Sequence, residues 1–95
     1  ESINKLAKMV IEDADRIAGL GRAAPSATYV HSALQERPIV TATWLAEKTG
    51  LSVATVNKAL VNLEKIGIVR QLNDSKRNRL FAYGQYMDIL NAEIL

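Results

Sequence analysis

The sequence predicts a mainly α fold, of the α+β class, in which several helices accompany one antiparallel hairpin. Apolar residues recur at three- and four-residue steps through most of the 95-residue chain, the spacing of helices buried on one side. Near the C-terminal end, two β-prone runs flank a turn-rich segment. Apolar residues make up 48% of the chain and charged residues 23%, which is the balance of one globular domain.

Residues 1–36 predict two helices that pack against, or lead into, the rest of the domain. The first helix has one apolar stripe: Ile3, Leu6, Ala7, Val10, Ile11, Ala14, Ile17 and Ala18. We expect the acidic residues Glu12, Asp13 and Asp15 to scatter over its surface. A second helix restarts near Pro25, and we expect its buried side to consist of Tyr29, Val30, Ala33 and Leu34. Because the residue before a proline is pushed out of the helical region, this helix ends before Pro38.

Two further helices joined by a tight turn follow a short strand at Ile39 and Val40. Thr41 or Thr43 can cap the first of them, and Gly50 closes it where the turn requires a positive φ. Ser52 can cap the second helix, which Gly67 terminates. Its expected inner stripe consists of Val53, Val56, Leu60, Leu63 and Ile66.

The C-terminal third predicts a hairpin and a last helix. The runs 68–72 and 79–83 are β-prone, and residues 73–78 between them form a turn-rich tip. A C-terminal helix occupies 84–95, with apolar residues Tyr86, Met87, Ile89, Leu90, Ile94 and Leu95. Helix, tight turn, helix and hairpin, in this order, predict a winged helix-turn-helix over residues 37–83, flanked by N- and C-terminal helices.

The second helix of the pair and the hairpin tip form the candidate surface for double-stranded DNA. The candidate contacts are Ser52, Ala54, Thr55, Asn57, Lys58, Asn62, Lys76, Arg77, Asn78 and Arg79. Residues 37–83 carry eight Lys or Arg against three Asp or Glu, which favours a polyanionic partner. No Arg projects from the helix, so we expect mostly phosphate contacts with limited sequence preference. An ordinary solvent-facing helix and a solvated turn are the alternatives.

Catalysis and metal binding find no support in the residues. Cys is absent, His31 is the only histidine, and neither a glycine-rich phosphate loop nor a candidate triad occurs. We interpret His31 as a surface or partly packed side chain and Trp44 as a core or edge anchor. No apolar run reaches the roughly 18 residues of a membrane helix. We therefore expect a cytoplasmic, non-enzymatic chain without cofactor, metal or membrane contact.

Nearly the whole chain resembles the C-terminal region of Fic-family proteins, the protein adenylyltransferases, where a winged helix follows the catalytic domain. The similar segments are 21–24, 30–34, 37–41, 45–47, 49–52, 55–60, 63–70, 76–83 and 86–90. The most specific is Arg77-Asn78-Arg79 with the aromatic strand after it. The resemblance implies a parent protein that uses ATP and Mg to transfer AMP to protein hydroxyl groups. The His-Pro-Phe motif and the Asp-Gly-Asn-Gly-Arg run of the catalytic domain do not occur here.

Two other interpretations of the chain stay open. The apolar sides of the first and last helices also suit a protein-interaction module, either a homodimer or a domain packed against the catalytic Fic domain of the parent chain. A small free-standing transcription regulator is the third interpretation. A start at Glu1 instead of Met favours a piece of a longer protein.

Overall fold

A computed structural model describes the backbone of residues 2–94 and the side chains of residues 3–92. Its elements are α1 (Ser2–Ala18), α2 (Ala24–Glu36), β1 (Ile39–Thr41), α3 (Ala42–Thr49), α4 (Val53–Lys65), β2 (Val69–Gln71), β3 (Leu80–Tyr83) and α5 (Gly84–Ile94). A short 3₁₀ turn at Gly21–Ala23 joins α1 to α2. This order confirms the predicted mainly α fold with a small antiparallel sheet. None of the described helices is long and apolar enough to cross a membrane.

The sheet is organised around β3, which pairs in antiparallel fashion with β1 on one side and β2 on the other. Phe81 lies opposite Val40 of β1 and Gln71 of β2. The Leu72 N–H donates to the Leu80 carbonyl at 2.7 Å and extends the hairpin beyond β2. Residues 72–79, which we call the wing loop, therefore connect the end of β2 to the beginning of β3 and project from that end of the sheet.

Local signals fix α3 as the sequence predicts. Of the two possible caps, Thr41 serves: its Oγ1 accepts a hydrogen bond from the Trp44 N–H at 3.1 Å. At the other end Gly50 adopts φ 77°, in the left-handed region that glycine enters without a steric penalty. The Gly50 N–H donates to the Ala46 carbonyl, which completes the last turn. The turn to α4 is therefore short and defined.

One core holds the helices and the sheet together. Helix α4 packs on α2 and α3, while α1 packs on α2 and α5. The largest fully buried side chains are Tyr83, Ile17, Leu34, Leu45, Leu60, Leu63, Ile68, Val30 and Val56. They come from α1, α2, α3, α4, β3 and the turn before β2, so the N-terminal helix belongs to the same core as the helical pair.

Two predictions of buried side chains are wrong. Tyr29 is 58% exposed, because the buried side of α2 follows Ala27, Val30 and Leu34 and Tyr29 lies about 100° away from Val30. Val53 is 46% exposed, because it stands in the first turn of α4 at the edge of the inner stripe. It lies beside the wing loop instead of in the core.

Helix α1 buries only part of its predicted apolar stripe. Of its members Ile17 is buried, and Leu6 and Val10 pack partly against the core; Met9, which the stripe does not include, is buried as well. The other members are exposed: Ile3, Ala7, Ile11, Ala14 and Ala18. Helix α5 covers α1 with half-buried apolar side chains at 86, 87, 89 and 90. The side chains of Ile94 and Leu95, predicted on the apolar side of α5, lie outside the described residues.

A buried polar network joins α1, α2 and β3, and it corrects two further predictions. Asp13 and His31 are each 3% exposed, although a surface position was expected for Asp13 and a surface or partly packed one for His31. The Tyr83 hydroxyl donates to Asp13 Oδ2 at 2.7 Å, and His31 Nε2 lies 2.9 Å from the same hydroxyl. Because the tyrosine proton goes to the carboxylate, the imidazole Nε2–H is the donor to the tyrosine oxygen.

Burial sets the protonation states of this network. It lowers the pKa of His31, and the nearby Asp13 carboxylate opposes that shift only in part. Burial also raises the pKa of Tyr83, and the hydrogen bond to Asp13 adds to the increase. The Arg16 guanidinium lies 3.4 Å from Asp13 Oδ1 and balances the buried carboxylate. The imidazole of His31 and the phenol of Tyr83 are therefore both neutral near pH 7.

Candidate nucleic-acid interface

Helix α4 has a firmly defined beginning and end. Ser52 Oγ accepts a hydrogen bond from the Thr55 N–H at 3.1 Å, as the sequence predicts for its cap. After the helix, Gly67 adopts φ 79°, and the Ile68 N–H reaches back to the Leu63 carbonyl at 2.9 Å. The result is a rod of about 20 Å that buries one side and leaves the other free.

The free side of α4 contains most of the predicted contact residues. Ser52, Ala54, Asn57 and Lys58 are exposed, together with Val53, Val61, Glu64 and Lys65. Thr55 and Asn62 are half-buried. With Lys58 they line a depression of about 330 Å³ against the start of α2, where Arg22 and Ser26 complete the wall. These three predicted residues thus lie on the side of α4 next to α2, and Lys58 and Asn62 also line a second depression with Asn57 and Val61.

The wing loop is held in shape by the amide side chain of Asn73 within it and by that of Gln71 at the end of β2. Asn73 Oδ1 accepts a hydrogen bond from the Leu80 N–H at 3.1 Å, and Asn73 Nδ2 donates to the Asn78 carbonyl at 3.2 Å. Gln71 Nε2 donates to the Ser75 carbonyl at 3.0 Å. Asn78 has φ 52°, a left-handed conformation that asparagine tolerates better than most residues. These bonds leave the cationic side chains of the loop exposed.

An open groove of about 630 Å³ separates α4 from the wing loop. Its lining consists of Thr41, Ala42, Thr43, Val53, Asn57, Lys76, Asn78 and Arg79. Four of the predicted contact residues, Asn57, Lys76, Asn78 and Arg79, therefore come together in one place. Ser52, Ala54 and Arg77 are exposed nearby in the chain but do not line the groove.

Sequence reasoning missed part of this groove. Thr43 was considered only as a cap, and Val53 was assigned to the core. The position of Val53 directly after the Ser52 cap could have indicated its exposure. A residue in the first turn of a helix lies at the end of the helix, where fewer neighbouring side chains cover it. Arg22 was also missed, because it lies some thirty residues before α4 and meets it only through the packing of α2.

The ion pairs of the domain leave the groove cations free. Arg70 pairs with Asp88 at 3.1 Å and Lys48 with Glu36 at 2.9 Å, both outside the groove. The Arg37 guanidinium lies 4.6 Å from the centre of the half-buried Trp44 ring, which supports the interpretation of Trp44 as an edge anchor. Among the described side chains, no ion pair involves Lys58 or the wing loop.

The chemistry of the groove is that of an anion and hydrogen-bond site. Its lining offers one Lys, one Arg, two amides and two hydroxyl groups, and no carboxylate. Within the described residues, no three His, Cys, Asp or Glu side chains come together as metal ligands. The groove thus suits a phosphate backbone and the polar edges of bases.

The helical pair α3 and α4, the tight turn at Gly50 and the hairpin after α4 define a winged helix-turn-helix fold. Residues 30–70 match the family of winged helix-turn-helix DNA-binding domains. The matched part contains α3 and α4, while the wing loop and α5 lie beyond it. No curated protein and no solved structure matched the chain. Nothing in these comparisons links it to Fic-family proteins.

Proposed function

We propose that this domain binds double-stranded DNA, with α4 in the major groove and the wing loop against a neighbouring phosphate backbone. The observation that carries the proposal is the single groove shared by Asn57 of α4 and by Lys76 and Arg79 of the wing loop. A helix of about 10–12 Å diameter fits the roughly 12 Å wide major groove of DNA. The match of residues 30–70 to DNA-binding domains supports the same function.

Electrostatics favours contacts to phosphates. Lys76, Arg77 and Arg79 are exposed, and the ion pairs of the described side chains lie elsewhere. Lys58 on α4 adds a fourth free cation one turn beyond Ala54. Each cation that meets a phosphate releases condensed counterions, so affinity should fall steeply with salt.

A salt titration of two matched double variants tests the proposal. Binding of a fluorescent duplex is followed by anisotropy for wild type, Arg77→Ala/Arg79→Ala and Lys48→Ala/Arg70→Ala. Both variants remove two positive charges, but Lys48 and Arg70 are paired with carboxylates away from the groove. The wing variant should flatten the dependence of log K on log salt by about two units, at about 0.9 per lost contact. Equal losses in both variants would contradict a specific role for the wing.

We propose that this domain forms the C-terminal region of a longer protein, a Fic-type protein adenylyltransferase. Support comes from the wing segment Arg77-Asn78-Arg79 and the strand after it. ATP and Mg would then belong to the parent's catalytic domain, which could also contact this one. A free-standing transcription regulator fits the same fold equally well. The encoding reading frame decides: an upstream His-Pro-Phe motif with Asp-Gly-Asn-Gly-Arg supports the first, and a frame without them contradicts it.

The exposed part of the α1 stripe favours a second function, self-association. Ile3 is 78% exposed and Ile11 64% exposed, a large apolar area for one helix to leave in water. In an antiparallel pair with its twofold axis between positions 10 and 11, Ile3 faces Ala18 of the second copy and Ala7 faces Ala14. The spacing of the stripe is thus nearly symmetric about its middle, so one helix can pack against another copy of itself.

The charges beside the stripe also favour a second copy of α1 as the partner. Lys8 and Asp15 are seven residues apart, so they flank the same edge of the stripe. In the antiparallel pair the same edges of the two helices meet, so Lys8 of each copy lies near Asp15 of the other; in a parallel pair these edges lie on opposite sides of the interface and the charges do not meet. We therefore propose a homodimer through α1.

Sedimentation velocity over a concentration series tests the homodimer. Ile11→Glu should give a monomer, and the control Leu72→Glu, at a 45% exposed apolar position in the wing loop, should leave the dimer intact. Lys8→Asp or Asp15→Lys alone should weaken the dimer, and the two together should restore it. A wild-type chain that stays monomeric throughout the series contradicts the proposal.

A further inference from the structure

The groove side of α4 combines exposed branched apolar side chains with a single amide. Val53 is 46% exposed and Val61 43% exposed, and the exposed Asn57 lies between them. Steps of four residues place these three side chains in one line along the helix. Val53 and Asn57 line the groove beside the wing loop, and Asn57 and Val61 line a further depression together with Lys58 and Asn62.

The valines have a specific counterpart in the major groove. Thymine is the only base that presents a methyl group there, and it forms apolar contacts with small aliphatic side chains. Val53 opens α4 directly after the Ser52 cap, which is the end of a recognition helix that approaches base edges. Ala54, exposed next to Val53, adds a second small apolar side chain at that end.

The amide has a counterpart in the same base pair. Adenine presents the N6 donor and the N7 acceptor side by side, and an asparagine amide can bond both at once. Asn57 stands one turn after Val53 on the same line, so an amide–adenine pair and a valine–methyl contact can form on one or two adjacent A·T pairs.

Helix α4 carries two lysines but no arginine, which limits its readout of G·C pairs. Between residues 53 and 65 there is no Arg, which is the usual partner of guanine O6 and N7. Lys58 lines both the depression beside Asn57 and Val61 and the depression that contains Arg22. A second cation at that place, Arg22, suits a phosphate contact better than a base edge.

We infer that α4 selects A·T base pairs in the major groove, with Asn57 on adenine and Val53 on the thymine methyl group. This inference rests on the proposed DNA binding and adds the sequence class that the domain prefers. It replaces the expectation of limited sequence preference with a defined pair of specificity-determining residues.

The test begins with selection from a random duplex pool by the wild-type domain and by Asn57→Ala. The wild type should enrich a site with adjacent A·T pairs, and Asn57→Ala should lose that enrichment. Replacing those A·T pairs by G·C should weaken wild-type binding by about 5- to 150-fold, the discrimination of one good bidentate contact. Binding of Asn57→Ala to the A·T duplex should fall to about the level at which the wild type binds the G·C duplex, because only the contact to adenine is removed.

Modified bases then assign each contact. Thymine→uracil removes only the methyl group and should weaken wild-type binding about 4-fold, with a smaller effect on Val53→Ala and no effect on Val53→Ser. Adenine→7-deazaadenine removes N7 and should affect wild type but not Asn57→Ala. Selection of G·C-rich sites, or duplex binding with no enrichment, overturns the inference and leaves the proposed function standing. Failure of the wild type to bind any duplex at low salt overturns both.

Discussion

Replacing Tyr83 by Phe removes one oxygen atom and tests whether the buried network holds α1 to the rest of the domain. Tyr83 has no exposed surface, and its ring packs edge-on against His31 and stacks on Tyr86. Phenylalanine keeps that packing. The variant therefore isolates the two hydrogen bonds of the hydroxyl, one to Asp13 and one from His31.

The expected cost follows from what the two partners lose. A hydrogen bond to a charged group contributes about 1.5–3 kcal/mol and a neutral one about 0.5–1.5 kcal/mol. Asp13 has only the more distant Arg16 left, and it cannot turn to water because it is 3% exposed. We expect the free energy of unfolding to fall by about 3 kcal/mol. For a domain of this size that corresponds to a drop in Tm of roughly 12–24 °C.

Urea unfolding, followed by circular dichroism and by the fluorescence of Trp44, measures this loss. Tyr29→Phe is the matched control, because that hydroxyl is on a side chain 58% exposed and its removal should change stability by less than about 0.5 kcal/mol. A cost for Tyr83→Phe below about 1 kcal/mol would refute the reasoning. It would mean that the hydrogen bonds of the Tyr83 hydroxyl stabilise the folded domain no more than hydrogen bonds to water stabilise the unfolded chain.

Two further predictions concern acid and the helix cap. Because burial lowers the pKa of His31, the unfolded chain takes up its proton first, near the ordinary value of 6.5. The contribution of neutral, buried His31 to the free energy of unfolding is thus fully present above about pH 6.5 and is lost as the pH falls toward the folded-state pKa. Urea unfolding should therefore give a lower free energy of unfolding at pH 5.5 than at pH 7.5, and His31→Gln should reduce that difference. An equal difference in that variant would assign the acid sensitivity to other groups. Ser52→Ala should cost about 1 kcal/mol in thermal unfolding, whereas Ser52→Asp, which keeps a capping oxygen, should cost far less; equal stability of wild type and Ser52→Ala would show that the cap is dispensable.

Local signals predicted the helices and turns well, because each depends on residues close in the chain. The Ser52 cap, the positive φ of Gly50 and Gly67 and the polar wing loop needed only turn and cap chemistry. From these the winged helix-turn-helix order and four members of the groove follow: Asn57, Lys76, Asn78 and Arg79.

The errors arise where distant segments decide burial. Periodicity showed an apolar stripe on α1 but not which part of it would meet α2 and α5. Asp13 lies in the buried part, where it accepts a hydrogen bond from Tyr83. Because the two residues are 70 positions apart, no local pattern reveals that pair. Val53 was placed in the core by the same argument from periodicity, which does not register where a helix extends beyond its neighbours.

The central strand links two regions with different tasks. Tyr83 ends β3 in the core, and Arg79 stands just before its other end, about 13 Å away along the strand. If the domain binds DNA as we propose, a genetic screen for loss of duplex binding would therefore recover substitutions of Asp13 and His31 as well as those of Arg79. Such alleles would tilt or loosen the strand that carries the wing, and they would be mistaken for contact mutants unless the stability of each was measured as well.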